Sequence, residues 1–330
     1  MSDTLRWGIL ATGGIAHLFA SDLAMTGRTI RAVGSRSPER AERFAAEFGI
    51  RTAHASYEEL VADPEVDIVY VSTPHPFHAG NALLALNAGK HVLIEKPIAL
   101  NAAQARAIYD LGAEKGLLVL EAMWTRFLPH MARIREILAA GTLGEVRAVL
   151  ADHTQKLSTD ATHRINAPEL GGGALLDLGI YPLSFVSQVL GAPESVTASA
   201  RFTPTGVDGA IATISHYSSG AVATTFSASD SAGPNVASVL GTNGRIDIDR
   251  VWYKPTSFRV LDNENDVVEE YSSVVSGRGM QFQAEEAERL VRAGRTASDI
   301  LTPAESIAIM ETLDEVRHQI GLAYPGETIR

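Results

Sequence analysis

Over its first ~120 residues the chain alternates short apolar runs with Ala/Glu/Arg-rich helical stretches, and this alternation limits the possible folds more than any other feature. Residues 5–10 read as a buried strand, 15–23 as a helix entered through a glycine turn, and 29–34 as the next strand, which closes a βαβ unit. Pro38 opens a further helix, Ser56 is placed to cap a helix over 57–61, and residues 67–72 (DIVYVS) form a strand. A helix over 81–88, a strand over His91–Glu95, a helix over 101–115 and a strand over 117–120 complete the series. Strands separated by helices pair in parallel through right-handed crossovers, so this region predicts a doubly wound α/β sheet of Rossmann type.

Past residue 122 the pattern changes. After Pro129 and a helix over 131–139 come short strands at 146–151, 195–202, 211–217, 221–227, 238–240, 245–248 and 258–261, separated by Gly, Asn and Asp turns. Helices over 175–190, 281–293 and 304–320 accompany them. Too few helices remain to cover both sheet faces, which predicts an α+β domain with a large, mostly antiparallel, open-faced sheet. A chain of 330 residues exceeds one ordinary core. The expected division is 1–121 for dinucleotide binding and 122–330 for substrate binding and dimerisation; no internal repeat or low-complexity linker marks it.

With 28 Lys and Arg against 39 Asp and Glu, the net charge of −11 repels nucleic acid and leaves phosphate binding to a local pocket. Cysteine is absent, which removes disulfides and thiolate chemistry. No signal-like apolar segment opens the chain and no run of about 18 apolar residues is evident, so a cytoplasmic protein without a membrane partner is expected.

The chemistry concentrates at strand ends. Ala11-Thr12-Gly13-Gly14-Ile15 lies between the first strand and the first helix, where main-chain N–H groups hold a pyrophosphate; Ala11 stands where the fingerprint prefers glycine. The second strand ends in Ser35-Arg36-Ser37, with Arg40 one turn on. Hydroxyl and guanidinium groups suit a 2′-phosphate and lack the acceptor that binds a bare ribose diol, so NADP is expected over NAD. Thr73-Pro74-His75 and His78 follow the strand DIVYVS at the same edge; two histidines three apart without a third ligand point to cofactor contact or capping, and no metal is expected. Glu95-Lys96-Pro97 ends another strand, with the proline directing the lysine. Residues 123–129, with Trp124, Arg126 and Phe127, join the domains, where the two aromatic rings could line a cleft or seal an interface.

Three glycines, 171–173, feed a helix that carries Asp177 and Tyr181 four residues apart, a spacing that puts a carboxylate and a phenol on one α-helical face. Both could meet Lys96, and three proton-handling groups would then converge on one substrate hydroxyl. Lysine and tyrosine are poor bases at their ordinary pKa of about 10, but a lysine cation eases deprotonation of a neighbouring phenol. Tyr181 is the favoured proton acceptor with Lys96 polarising the oxygen; the roles could be exchanged. His153, at the end of a predicted strand, is a secondary candidate for the pocket wall.

Together these blocks resemble the glucose-fructose oxidoreductase and inositol dehydrogenase family (Gfo/Idh/MocA), most nearly its dimeric dihydrodiol dehydrogenase and NADP-dependent D-xylose dehydrogenase branch. The likeness runs nearly end to end: Trp7-Gly8-Ile9-Leu10, Glu95-Lys96-Pro97, residues 121–127 (EAMWTRF), 141–146 (GTLGEV), the block 164–182, 241–244 (GTNG) and Tyr324-Pro325. It implies a Rossmann domain with an open-faced sheet domain, a homodimer through that sheet, and NADP-dependent oxidation of a vicinal diol or aldose. It further implies that Lys96 and Tyr181 are catalytic, that Asp177 supports them, and that Trp124 and Arg126 touch nicotinamide or substrate. Ala11, the His75-Pro76 pair and His153 depart from the family's usual residues, the last where that branch frequently has an aromatic. Trp124 and Phe127 offer flat apolar surface and Arg126 and His153 offer hydrogen bonds, which together suit a pyranose oxidised at C1. Alternatives are a trans-dihydrodiol dehydrogenase, a keto-sugar reductase, or a catalytically silent NADP or sugar sensor.

Overall fold

Strands β1 (Trp7–Leu10) and β4 (Ile68–Val71) are buried along their whole length, because helices cover both faces of the parallel sheet they centre. The computed structural model describes residues 5–327. In chain order the first part comprises β1, α1 (Gly14–Met25), β2 (Ile30–Gly34), α2 (Pro38–Phe48), β3 (Thr52–His54), α3 (Tyr57–Ala62), β4, α4 (His78–Asn87), β5 (His91–Glu95), α5 (Ala102–Lys115) and β6 (Val119–Ala122). The six strands order as β3-β2-β1-β4-β5-β6, all parallel, and the order reverses between β1 and β4. This is the doubly wound Rossmann sheet expected. Ser56 caps α3 by accepting the Glu59 N–H, and Ser37 caps α2 with Pro38 at its first position.

The second part contains α6 (Pro129–Ala139), β7 (Val146–Thr154), α7 (Ile180–Leu190) and β8 (Ser195–Phe202). Strands β9 (Asp208–His216), β10 (Val222–Ala228), β11 (Ala237–Gly241), β12 (Arg245–Ile248), β13 (Phe258–Leu261) and β14 (Val267–Tyr271) follow. Its eight-stranded sheet orders as β14-β13-β12-β11-β7-β10-β9-β8; only the β7/β10 pair is parallel. α8 (Gln281–Arg292) and α9 (Pro303–Ile320) end the chain. Strands β3 and β14 had no sequence signal strong enough to predict them.

Two compact units result, one running to Phe127 and including Val275–Ser306, the other formed by Leu128–Val274 and the residues from Ile307 on. The sequence pattern had put the division at 121/122 and assigned all of 275–306 to the second domain. Pairings across more than 250 residues explain the difference. Trp7 Nε1 donates to Glu288 at 3.1 Å, Arg28 pairs with the same carboxylate at 3.2 Å, and Asp22 on α1 accepts the main-chain N–H groups of Arg278 and Met280. Contacts of such span leave no trace in local periodicity.

Contrary to the expectation that no apolar stretch of membrane-spanning length occurs, helical residues Pro168–Leu190 reach that length with a mean hydropathy of 1.3. The apolar window is 83% buried, so it is a core helix. It opens in one π-helical turn, Leu175–Gly179, whose first N–H groups need a partner. Asp208 supplies one, its Oδ2 accepting Leu175 N–H at 2.6 Å. The carboxyl is fully buried, and burial pushes its pKa up to about 7. Gly173 makes room for it: φ there is +118°, and a Cβ would lie 2.1 Å from Asp208 Oδ1.

A carboxyl raised in the folded state stabilises fully below its unfolded pKa, and that contribution is lost as pH rises through the folded value. Relative to Asp208→Asn, the wild type should therefore lose up to about 4 kcal/mol of unfolding free energy between pH 4 and pH 8. Urea titrations of both proteins across that range check this; parallel pH profiles would contradict it.

Candidate active site

In the first unit the segments after β1, β2, β4, β5 and β6 all leave the carboxyl edge of one sheet, where doubly wound folds bind ligands. Ala11 is tied by its N–H to Gly34 O at 2.9 Å and holds φ +85°, the conformation glycine adopts without strain. A Cβ on Gly13 or Gly14 would meet nothing within 4 Å, so neither glycine is demanded by packing. Gly13 caps α1 without a side-chain acceptor, which leaves the helix N–H groups facing that space. This cradle fits a pyrophosphate. At the end of β2, Ser35 is buried, Arg36 and Arg40 are exposed, and the Arg36 guanidinium lies 5.7 Å from the Phe77 ring. The strand end bears no carboxylate, in keeping with a 2′-phosphate.

His78, read from the sequence as a cofactor contact or a cap, bonds two main-chain carbonyls. It is fully buried, Nδ1 lying 2.8 Å from Pro97 O and Nε2 2.7 Å from Thr73 O, and burial lowers its pKa to about 4. It ties the loop after β4 to the loop after β5. His75 is buried beside it, the rings edge to face at 5.7 Å. Glu121 holds the second loop from the other side, accepting Ile98 N–H at 3.1 Å and the Ser306 hydroxyl; burial pushes its pKa up to about 7. Glu95, which the sequence places with Lys96 among the residues at the cofactor edge, is itself buried and accepts the Tyr70 hydroxyl, with its pKa raised by burial. Between these fixed points Lys96 keeps part of its surface open.

The Trp124–Phe127 turn follows β6, and all four residues are buried. The Arg126 guanidinium pairs with Glu305 at 2.8 Å and bonds Ile300 O at 3.4 Å. Trp124 carries on its face the guanidinium of Arg278, 4.9 Å from the ring centroid. Nothing in the local pattern drew attention to Arg278.

In the second unit β7 turns His153 to the sheet face covered by α7. Its ring meets Tyr181 edge to face at 4.8 Å and stacks on Tyr253 at 3.7 Å, all three buried. Gln155 Nε2 lies within hydrogen-bond distance of His153 Nε2, at 2.8 Å. Tyr253 was missed by sequence reading because it lies in an irregular segment between β12 and β13. Tethers on its neighbour fix it: Trp252 Nε1 donates to Asp152 O at 2.7 Å, and Trp252 O accepts from His130 at 3.1 Å. Asp177 meets Arg164 through two contacts of 3.2 Å, a partner the sequence did not suggest. The turn that separates Asp177 from Tyr181 is π-helical, so the four-residue spacing is not that of a regular α-helix.

Two family models match in succession: the oxidoreductase family's NAD-binding Rossmann fold over residues 5–123 and the GFO/IDH/MocA C-terminal domain over 131–247. The chain belongs to the Gfo/Idh/MocA oxidoreductase family. A D-xylose 1-dehydrogenase (NADP⁺) of Hypocrea jecorina is 39% identical across 98% of this chain and 93% of its own length. A trans-1,2-dihydrobenzene-1,2-diol dehydrogenase of Mus musculus is 38% identical over 97% and 98%. Among solved structures, a 3-ketoreductase of Actinomadura kijaniata in complex with NADP superposes with a TM-score of 0.84 at 26% identity, covering 96% of this chain and 98% of that one.

Within this Gfo/Idh/MocA member, the alanine at position 11 sits in a left-handed conformation that costs an L-residue roughly 1–2 kcal/mol, partly offset by the freedom glycine gains when unfolded. Ala11→Gly should raise unfolding free energy by up to about 1 kcal/mol. Guanidinium denaturation of both proteins measures it; a clear loss of stability would contradict the strain assigned to Ala11.

Proposed function

We propose that the protein is an NADP-dependent dehydrogenase that oxidises a pyranose at C1. The observation that carries this reading is the contact of His153 with Tyr181, backed by Tyr253. A phenol flanked by a polar ring and a flat apolar one suits a sugar, whose axial hydrogens present an apolar face and whose hydroxyls seek hydrogen bonds. Ser35, Arg36 and Arg40 would hold the 2′-phosphate, and the cradle at Thr12–Gly14 the pyrophosphate.

Oxidation of a secondary alcohol removes a hydride and a proton. Bound NADP would supply the hydride acceptor. Lys96, steadied by the His78 and Glu121 contacts to its loop, polarises the substrate oxygen, and Tyr181 takes the proton. Arg164 restrains the Asp177 carboxylate, which bonds substrate hydroxyls. Run in reverse, the same residues reduce a lactone or ketone. Tyr181→Phe and Lys96→Met should each lower kcat by ~10² or more while NADP affinity stays within a few fold. Steady-state kinetics with NADP over aldoses, inositols and aromatic trans-dihydrodiols test this. Turnover retained in both variants would remove the assignment, and turnover of dihydrodiols alone would move the substrate class.

For the cofactor, NADP should bind at least about tenfold tighter than NAD, and Arg36→Asp should shift preference toward NAD. Equal affinities by isothermal titration would contradict this.

We also propose a homodimer through the second unit's sheet. Leu150, Ile214 and Phe226 lie on its outer face at 43%, 44% and 43% exposure, an apolar patch that two-fold pairing would bury. Leu150→Glu should give monomers in light scattering at micromolar concentration where the wild type gives dimers; a monomeric wild type would contradict the proposal.

A further inference from the structure

The segment between β14 and α8 presents a cation that neither the fold nor the proposed mechanism uses. Its base is anchored: Asp22 accepts Arg278 N–H at 3.0 Å and Met280 N–H at 2.8 Å. Gly277 allows this approach, since φ is +74° and a Cβ would fall 2.4 Å from Asp22 Oδ1 and 2.2 Å from Met25 Cε. From that anchor the Arg278 side chain extends over the Trp124 ring, 4.9 Å from its centroid. Its charge acts on Glu95, as does that of Lys96, so the guanidinium stands close to the proposed reacting end of the site.

Arg278 forms no side-chain hydrogen bond or ion pair among the described residues, and its Nε is buried without a partner. A half-buried guanidinium stacked on an indole keeps its planar edge for a bidentate acceptor. Glu95 does not neutralise it fully, because burial favours the protonated form of that carboxyl, against the pull of the Tyr70 hydroxyl and the two nearby cations. Two sources of an anionic acceptor exist, cofactor phosphate and substrate carboxylate. The phosphates are already matched by the cradle at Thr12–Gly14 and by Arg36 and Arg40, whereas Arg278 neighbours Trp124 and Glu95-Lys96.

We propose that Arg278 is a specificity residue that binds a carboxylate on the substrate, so that the preferred pyranoses are sugar acids such as hexuronates. The inference rests on the reading that the site oxidises a sugar. Arginine, with its fixed fork, discriminates an ionised carboxylate from the hydroxymethyl group of a neutral hexose.

The test compares kcat/KM with NADP for D-glucuronate and D-galacturonate against D-glucose and D-galactose. Wild type should favour each acid by at least about tenfold, a ratio that collapses in Arg278→Gln and is partly restored in Arg278→Lys, which keeps charge without the fork. Equal rates on acid and hexose in the wild type, or a ratio unmoved in Arg278→Gln, would overturn the proposal. So would a weakened NADP titration in Arg278→Gln, because it would assign the guanidinium to cofactor phosphate. If the variants fail to fold, the wild type alone decides: D-glucuronate should inhibit hexose oxidation at least tenfold more strongly than its methyl ester, and equal inhibition overturns the inference. Were no sugar oxidised yet glucuronate bound the NADP-loaded protein more tightly than its ester, the carboxylate site would stand and the sugar dehydrogenase reading would fall.

Discussion

The loop that bears Lys96 is held by two buried polar groups, and the proposed chemistry depends on that hold. The His78 ring spans Thr73 O and Pro97 O, and the Glu121 carboxylate takes Ile98 N–H and the Ser306 hydroxyl. Groups buried this deeply are tolerated only when bonded, since an unpaired buried donor or acceptor costs about 1–3 kcal/mol. The same requirement makes the arrangement rigid. Any displacement of the 96–98 backbone breaks a buried hydrogen bond, so a flexible amine is delivered from a fixed base. Ser306 and Glu305, from the chain's distant end, complete the network around Glu121 and Arg126.

A comparable economy governs the second unit. β7 alternates its side chains between two faces. Val149, Ala151 and His153 point toward the helix-covered side, and Leu150 points outward. One strand thus presents the imidazole to Tyr181 and an apolar residue to the open face. A register slip of a single residue would exchange the two and abolish both roles. Neighbouring β10 enforces the register through seven parallel pairs, Val222↔Ala148 to Ala228↔Thr154.

Much of this was legible in the sequence. Buried parallel strands are uninterrupted apolar runs, and strand ends that carry Gly, Ser-Arg, Thr-Pro or Glu-Lys-Pro signal themselves by composition, so the Rossmann half and the glycine turn after β1 could be read directly. What local pattern could not show was where buried side chains end up. Arg126 and His78 read as ligand contacts because charged or polar residues at a strand end usually are; their partners Glu305, Thr73 O and Pro97 O were not legible in the local pattern. Tyr253 and Arg278 sit in irregular segments, and each gains its position from partners more than seventy residues away in sequence: Asp152 and His130 fix the segment of Tyr253, and Asp22 that of Arg278. The π-helical turn before Tyr181 was read as regular helix, and the Asp208 carboxylate that meets its first N–H is a tertiary contact with no local signal.

Hydride transfer from C1 of a pyranose to NADP, with Lys96 and Tyr181 handling the proton, is the reaction proposed for this Gfo/Idh/MocA member. The most direct measurement is single-turnover oxidation of an aldopyranose deuterated at C1, with mass analysis of the reduced cofactor. The account predicts that the deuterium appears on the nicotinamide ring and that the transfer step shows a primary isotope effect. Reduced cofactor formed without deuterium, or no reduction of NADP by any pyranose, would contradict it.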